Sequence, residues 1–125
     1  MKIDFLLKRA QEFLETAEYH FSNEKYHLVA FDLEQASQLM LKHALFKKLR
    51  HFPPTHSLKE LLRAVGKAWG REKEIEKFGE KNVHLIADLE QAYISSRYLP
   101  AEFSRKQVEE LKEFVKKLEE LLNKL

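Results

Sequence analysis

A chain of 125 residues with a net charge of +2 is long enough for one ordinary hydrophobic core, so residues 1–125 read as a single domain. The absence of cysteine excludes disulfides and thiolate metal sites, and no apolar run approaches the ~20 residues of a membrane span. Charges throughout residues 1–20 predict that there is no signal peptide and that the protein is cytoplasmic, and 33 of the 42 charged residues are Lys or Glu, a bias expected of a thermophile.

The three glycines and three prolines are expected to fall between periodic segments. Ile3, Leu6, Ala10, Phe13, Leu14, Ala17 and Phe21 recur at three- and four-residue spacing and predict a helix over residues 2–22. Val29, Ala30, Leu33, Ala36, Met40, Ala44 and Leu45 predict a second over 24–50, and Phe31 and Leu41 lie off that stripe, so more than one face should be covered. Pro53-Pro54 ends it, because proline lacks a donor and restricts the residue before it. Ser57 with Glu60 reads as a capping box opening a third helix that runs from Ser57 to about Ala68. Gly70 and Gly79 bracket a charged stretch that the pattern leaves as either a short helix or a loop. A further helix is expected from about Glu80 to Ser95, through Val83, Ile86, Ala87, Glu90 and Ile94. Pro100 breaks the chain again. Ser104 with Gln107 is a second capping box, and Val108, Leu111, Phe114, Val115, Leu118, Leu121 and Leu122 carry the last helix to the end. No strand pattern competes, so the expected fold is all-α, an antiparallel bundle of four to five helices.

The charge is unevenly placed. Residues 42–71 hold eight basic side chains against the single acid Glu60, together with His43, His51 and His56. Such a block is suited to phosphates through point charges and counterion release, or else is spread harmlessly around two helices and a loop. No glycine-rich phosphate loop or nucleophile elbow is present. Glu24 and His27 match the Glu-x-x-His of di-iron bundles. That site needs a second copy, and the residue three before His84 is Lys81, so neither metal nor cofactor is expected. His20 and His43 are assigned to partly exposed helical faces, and His51 to a helix end. Two polar residues stand out. His56 lies beside the proline turn and either orients it or contacts a ligand. Arg97, in the junction Ser95–Pro100, either bonds the last carbonyls of its own helix or holds an anion.

At these positions the chain resembles a known family. Phe31–Lys42, with its Gln35-Ala36 pair before Leu41-Lys42, resembles the second-helix signature of small HEPN-domain proteins. Pro53–Leu62, with His56-Ser57-Leu58, resembles the segment that opens their third helix. Ser96-Arg97-Tyr98-Leu99-Pro100 resembles their Ala-Arg-Tyr-Pro turn, with Leu99 inserted. The resemblance covers essentially the whole chain. It implies a small helical bundle that forms a homodimer through its long helices. It also implies binding of nucleotides or RNA, and a minimal nucleotidyltransferase as partner in a toxin–antitoxin-like pair. The ribonucleases of this family carry Arg-x4–6-His near the final helix. Arg97 stands where that arginine should be, but His84 is the last histidine, and Arg50 and His56, which have the spacing, lie in another part of the fold. Enzymatic activity is therefore left open, with binding preferred.

Three functions follow from this reading: a nucleotide- or RNA-binding module, a metal-independent ribonuclease using Arg97 with a non-sequential histidine, or a purely structural interaction domain. The expected ligand site is a polar cleft lined by Arg97, Tyr98, His56, Glu34 and Lys42. Glu34 and Lys42 are eight residues apart, within roughly 80° of each other and about 12 Å along one helix. Arg97 would grip a phosphate with two parallel hydrogen bonds, His56 would add a donor in mild acid, and Glu34 would orient Arg97 or Lys42.

Overall fold

The computed structural model describes residues 4–100 and 102–125; the expected helix start at residue 2, with Ile3 on its stripe, lies outside them. Among the described residues there are six helices and no strand: α1 (Asp4–Ser22), α2 (Tyr26–Leu49), α3 (Leu58–Trp69), α4 (Glu72–Lys81), α5 (Val83–Tyr98) and α6 (Arg105–Asn123). The fold is all-α. The count of six corrects the expected four to five, and the difference arises in one place. The charged stretch after Gly70 is helical, with Ile75 as its one buried side chain, and the chain then breaks at Asn82 instead of opening a single helix at Glu80. Asn82 makes that break without glycine or proline. Its backbone N–H and its side-chain amide both donate to the Phe78 carbonyl, at 3.1 and 2.9 Å. Helix α5 continues past Ser95, so Arg97 and Tyr98 occupy its last turn.

Helix α2 is the axis of the fold. It packs against α1, α3, α5 and α6, and buried residues occur all around it. The expected covering of more than one face is met within one chain, by the helices packed around it. The apolar side chains of α6, from Val108 to Leu121, close the core from the other side, and its charged residues stay outside. Each fully buried Leu, Val or Phe contributes about 1.5–3 kcal/mol of transfer free energy.

Two glycines lie inside helices, not between segments: Gly66 in α3 and Gly79 in α4. A Cβ on Gly66 would stand 3.2 Å from the Ile75 side chain and 3.3 Å from the Glu72 backbone, so α4 crosses α3 there closely enough that any larger residue would push it back by a few tenths of an ångström. Gly70 ends α3 in the left-handed conformation, with φ of 66°. Helix α2 ends the same way on Arg50, with φ of 64° and its N–H on the Phe46 carbonyl at 2.9 Å.

The two capping boxes differ. Ser104 accepts from the Gln107 N–H, and Gln107 Oε1 accepts from the Ser104 N–H, so that box is complete. Ser57 accepts from the Glu60 N–H at 3.2 Å, but the return half is taken over by Thr55. The Thr55 hydroxyl accepts from the Ser57 N–H at 3.1 Å and donates to Glu60 Oε2 at 2.6 Å. No helix among the described residues is long and apolar enough to cross a membrane.

Candidate functional site

Tyr93 and Arg97 lie one turn apart on α5, which places the guanidinium above the ring: Arg97 Cζ is 4.5 Å from the Tyr93 centroid. The same ring stacks on His56 from the loop before α3, with centroids 4.3 Å apart and planes at 17°. Phe31 of α2 and Tyr98 also lie against the guanidinium, at 5.5 and 4.9 Å. Arg97 and His56, 41 positions apart in sequence, thus meet through a tyrosine that belongs to neither motif. Arg97 Nε donates to the Tyr93 carbonyl at 2.9 Å, so the helix-end role expected as an alternative is also filled. Among the described residues no carboxylate pairs with Arg97, which leaves its two terminal nitrogens available for an anion. A guanidinium set among aromatic faces gains cation–π attraction and stays oriented.

Beneath this stack lies Glu34, which is fully buried. Gln38 Nε2 and Gln35 Nε2 donate to its carboxylate at 2.5 and 2.7 Å. Burial pushes its pKa up to about 7; the two amides and the Arg97 charge pull it down, and Glu90 pushes it up. Glu34 therefore neither lines an open cleft nor pairs directly with Arg97, because α2 is covered on every side. Glu90 faces the same region from α5 and accepts from the Ser57 hydroxyl at 2.9 Å. The Ser95 and Ser96 hydroxyls, on the turn that carries Arg97, are buried with no hydrogen-bond partner. An unmade buried bond costs about 1–3 kcal/mol, so this end of α5 is polar at the expense of stability.

The other expected members are placed differently. Tyr98 is 71% exposed, with its ring on Arg97. Lys42 does not join the group: its ammonium lies 5.4 Å from the Phe52 ring. The eight-residue step that keeps it near Glu34 in angle carries it about 12 Å along the axis, beyond reach of Arg97. The basic block is divided likewise. Lys47 and Lys48 cover the Trp69 ring, Arg71 pairs with Glu74, and Lys59, Arg63 and Lys67 form a row along α3. Glu24 lies in the α1–α2 turn outside the helix that holds His27, and among the described residues no three His, Asp or Glu side chains are grouped to hold a metal ion.

Sequence reasoning missed two features. Tyr93 joins the two polar residues, and its signal was the four-residue step to Arg97. His20, assigned to a partly exposed face, holds the buried Asp32 with Nδ1 2.6 Å from Oδ2. Burial raises the Asp32 pKa, and the hydrogen bond and charge of His20 oppose the rise. The signal was their position on facing helices on either side of the short α1–α2 connection.

The family model described as HEPN domain matches residues 3–125. A search of curated proteins finds no match for the chain.

Proposed function

Because this chain belongs to the HEPN-domain family, we propose that it is a nucleotide- or RNA-binding module whose contact surface is the stack of Arg97, Tyr93 and His56. HEPN domains are generally concerned with nucleotides or RNA, and they often dimerise. The observation that carries the reading is the single tyrosine ring shared by a guanidinium and an imidazole. Arg97 supplies two donors to a phosphate, and Tyr98, exposed beside it, offers a face on which a base stacks. Glu34 and Lys42 have no direct place in this version of the site.

The test is titration of a short single-stranded RNA, with melting temperature measured in parallel. Arg97→Ala is expected to weaken binding about tenfold, with Arg97→Lys intermediate because a point charge replaces the fork. Lower stability with unchanged affinity would assign Arg97 to its helix end alone.

A second reading rests on the same juxtaposition. His56 would take the proton from a ribose 2′-hydroxyl as that oxygen attacks phosphorus. The bond from phosphorus to the 5′-oxygen would break, that oxygen taking a proton from water, to give a 2′,3′-cyclic phosphate and a 5′-hydroxyl, while Arg97 stabilises the charge on the phosphoryl oxygens. Labelled RNA incubated with a chelator tests this: a cyclic-phosphate product lost in both His56→Ala and Arg97→Ala supports cleavage, and intact RNA leaves binding alone.

In this proposal residues 1–125 act as one domain, as a homodimer in the cytoplasm of a thermophile, with a minimal nucleotidyltransferase as its toxin–antitoxin partner. The support for a dimer is at the end of α5, where Ile94 and Tyr98 and the following Leu99 are 53%, 71% and 52% exposed. Light scattering at micromolar concentration is expected to give twice the chain mass; a monomer would remove the dimer from the proposal.

A further inference from the structure

A groove of about 600 Å³ runs between α3, α4 and the first half of α5, and neither Arg97 nor His56 lines it. Its floor is apolar, made by Leu62, Ile75, Val83 and Ile86. Its two walls carry opposite charge in matching rows. Lys59, Arg63 and Lys67 recur every four residues along α3, and Glu72, Glu76 and Glu80 recur every four along α4. Each row spans about 12 Å, or a little over two helical turns. Among the described residues no ion pair joins the two rows across the groove; the one pair at this end of the molecule is Arg71 with Glu74, outside it. Gly66 brings α3 and α4 close at the bottom, and at Gly79 an added Cβ would meet nothing within 4 Å, so the groove is open where a side chain would otherwise fill it.

Charge and shape together select the occupant. A nucleic acid strand would gain from the α3 row and be repelled by the α4 row. An anionic membrane surface meets the same opposition. A second copy of this groove would set one concavity against another. A convex rod of helical width, with an apolar stripe between an acidic and a basic flank, satisfies the floor and both walls at once. We infer that the groove between α3, α4 and α5 docks one amphipathic helix of a partner protein, its acidic flank against Lys59, Arg63 and Lys67 and its basic flank against Glu72, Glu76 and Glu80. The groove extends to Glu90, which Ser57 ties to the loop carrying His56, so the docked helix ends next to the polar stack without contributing to it.

Two fluorescent helical peptides of equal composition test this in solution with the full chain. One has leucines along a stripe with Glu on one flank and Lys on the other; the second has the same charges interleaved, so that both flanks are neutral. By anisotropy the segregated peptide is expected to bind at least about tenfold tighter, the sum of several weak exposed pairs. Gly79→Trp, which fills the open part of the groove, is expected to abolish that binding without lowering the melting temperature. Lys59→Glu with Arg63→Glu and Lys67→Glu is expected to reduce the segregated peptide to the level of the interleaved one. Equal affinity for the two peptides, failure of both to bind, or undiminished binding to a folded Gly79→Trp protein would each overturn the inference.

Discussion

Helix α2 buries two carboxylates two residues apart, and their surroundings differ. Asp32 meets α1, where His20 holds it at 2.6 Å. Glu34, on the other side of the helix, meets neutral amides at 2.5 and 2.7 Å and senses Arg97 only through its field. Burial raises both pKa values. At Asp32 a partner that can carry positive charge offsets the rise and closes the α1–α2 hairpin. At Glu34 the nearest cation is committed to the Tyr93 ring and to solvent, so the acid stays close to neutrality. Two acids on one helix thus serve different ends. The first ties the scaffold together, and the second is a weakly compensated group beneath an exposed arginine.

The sharpest way to break this comparison is pH. With a pKa of about 7 in the fold, against an ordinary 4.5, Glu34 keeps its proton in the native state where the unfolded chain has lost it. Stability from this group is therefore full below about pH 4.5, falls as pH rises towards about 7, and is flat beyond. The span corresponds to roughly 3 kcal/mol as an upper figure. Glu34→Gln is expected to remove that slope and to be more stable than the parent at pH 8, measured by chemical denaturation across the range. A parent and variant with parallel pH profiles would show that Glu34 ionises in the fold as it does in the unfolded chain.

A smaller effect is expected on the α1 side. His20→Ala leaves Asp32 buried without its partner and should cost about 2 kcal/mol at pH 7, within the range for an orphaned buried acceptor. Asp32→Asn added to His20→Ala should recover part of the loss, because the remaining group is then neutral. A double variant no better than the single one would mean that the pair contributes packing and not charge.

The smallest effects set the scale for both. Ser104→Ala removes one half of a complete capping box, and Ser57→Ala removes the acceptor for the Glu60 N–H. Each is expected to cost about 1 kcal/mol in denaturation experiments, with Ser57→Ala the larger because its hydroxyl also donates to Glu90 on the Glu34 side of the molecule. Costs of only a few tenths would mean that water replaces these caps freely.

How much of this was legible in the sequence varies by region. The all-α class and five helices were readable because α1, α2, α3, α5 and α6 each carry apolar residues at helical spacing over three or more turns. Helix α4 was not, since Ile75 is its one buried side chain and a single point has no period. The stop at Asn82 was invisible for a related reason: an asparagine amide bonding back to Phe78 leaves no glycine or proline in the text. In the candidate site, Arg97 and His56 stood out by their positions at a helix junction and a proline turn, with the family resemblance added to that, and Tyr93 was hidden because an aromatic in a helix reads as core. Glu34 was assigned to an open cleft by its helical angle to Lys42, as the group that would orient Arg97 or Lys42. Its place on a helix that carries apolar residues on more than one face was the evidence against that cleft. Lys42 failed on distance along the helix, which angle alone does not report.

The end of α2 carries one more consequence. Arg50 closes that helix in a left-handed conformation that costs an L residue about 1–2 kcal/mol and glycine almost nothing. Arg50→Gly would relieve the backbone, yet it would also widen the conformations open to the unfolded chain and to the connection through Pro53-Pro54 that leads to His56. The arginine acts as a stiffener: a side chain at this position narrows the directions in which the chain leaves α2. The direction in which the chain leaves α2 towards the loop that carries His56 to the Tyr93 ring is thereby restricted by a residue outside the stack.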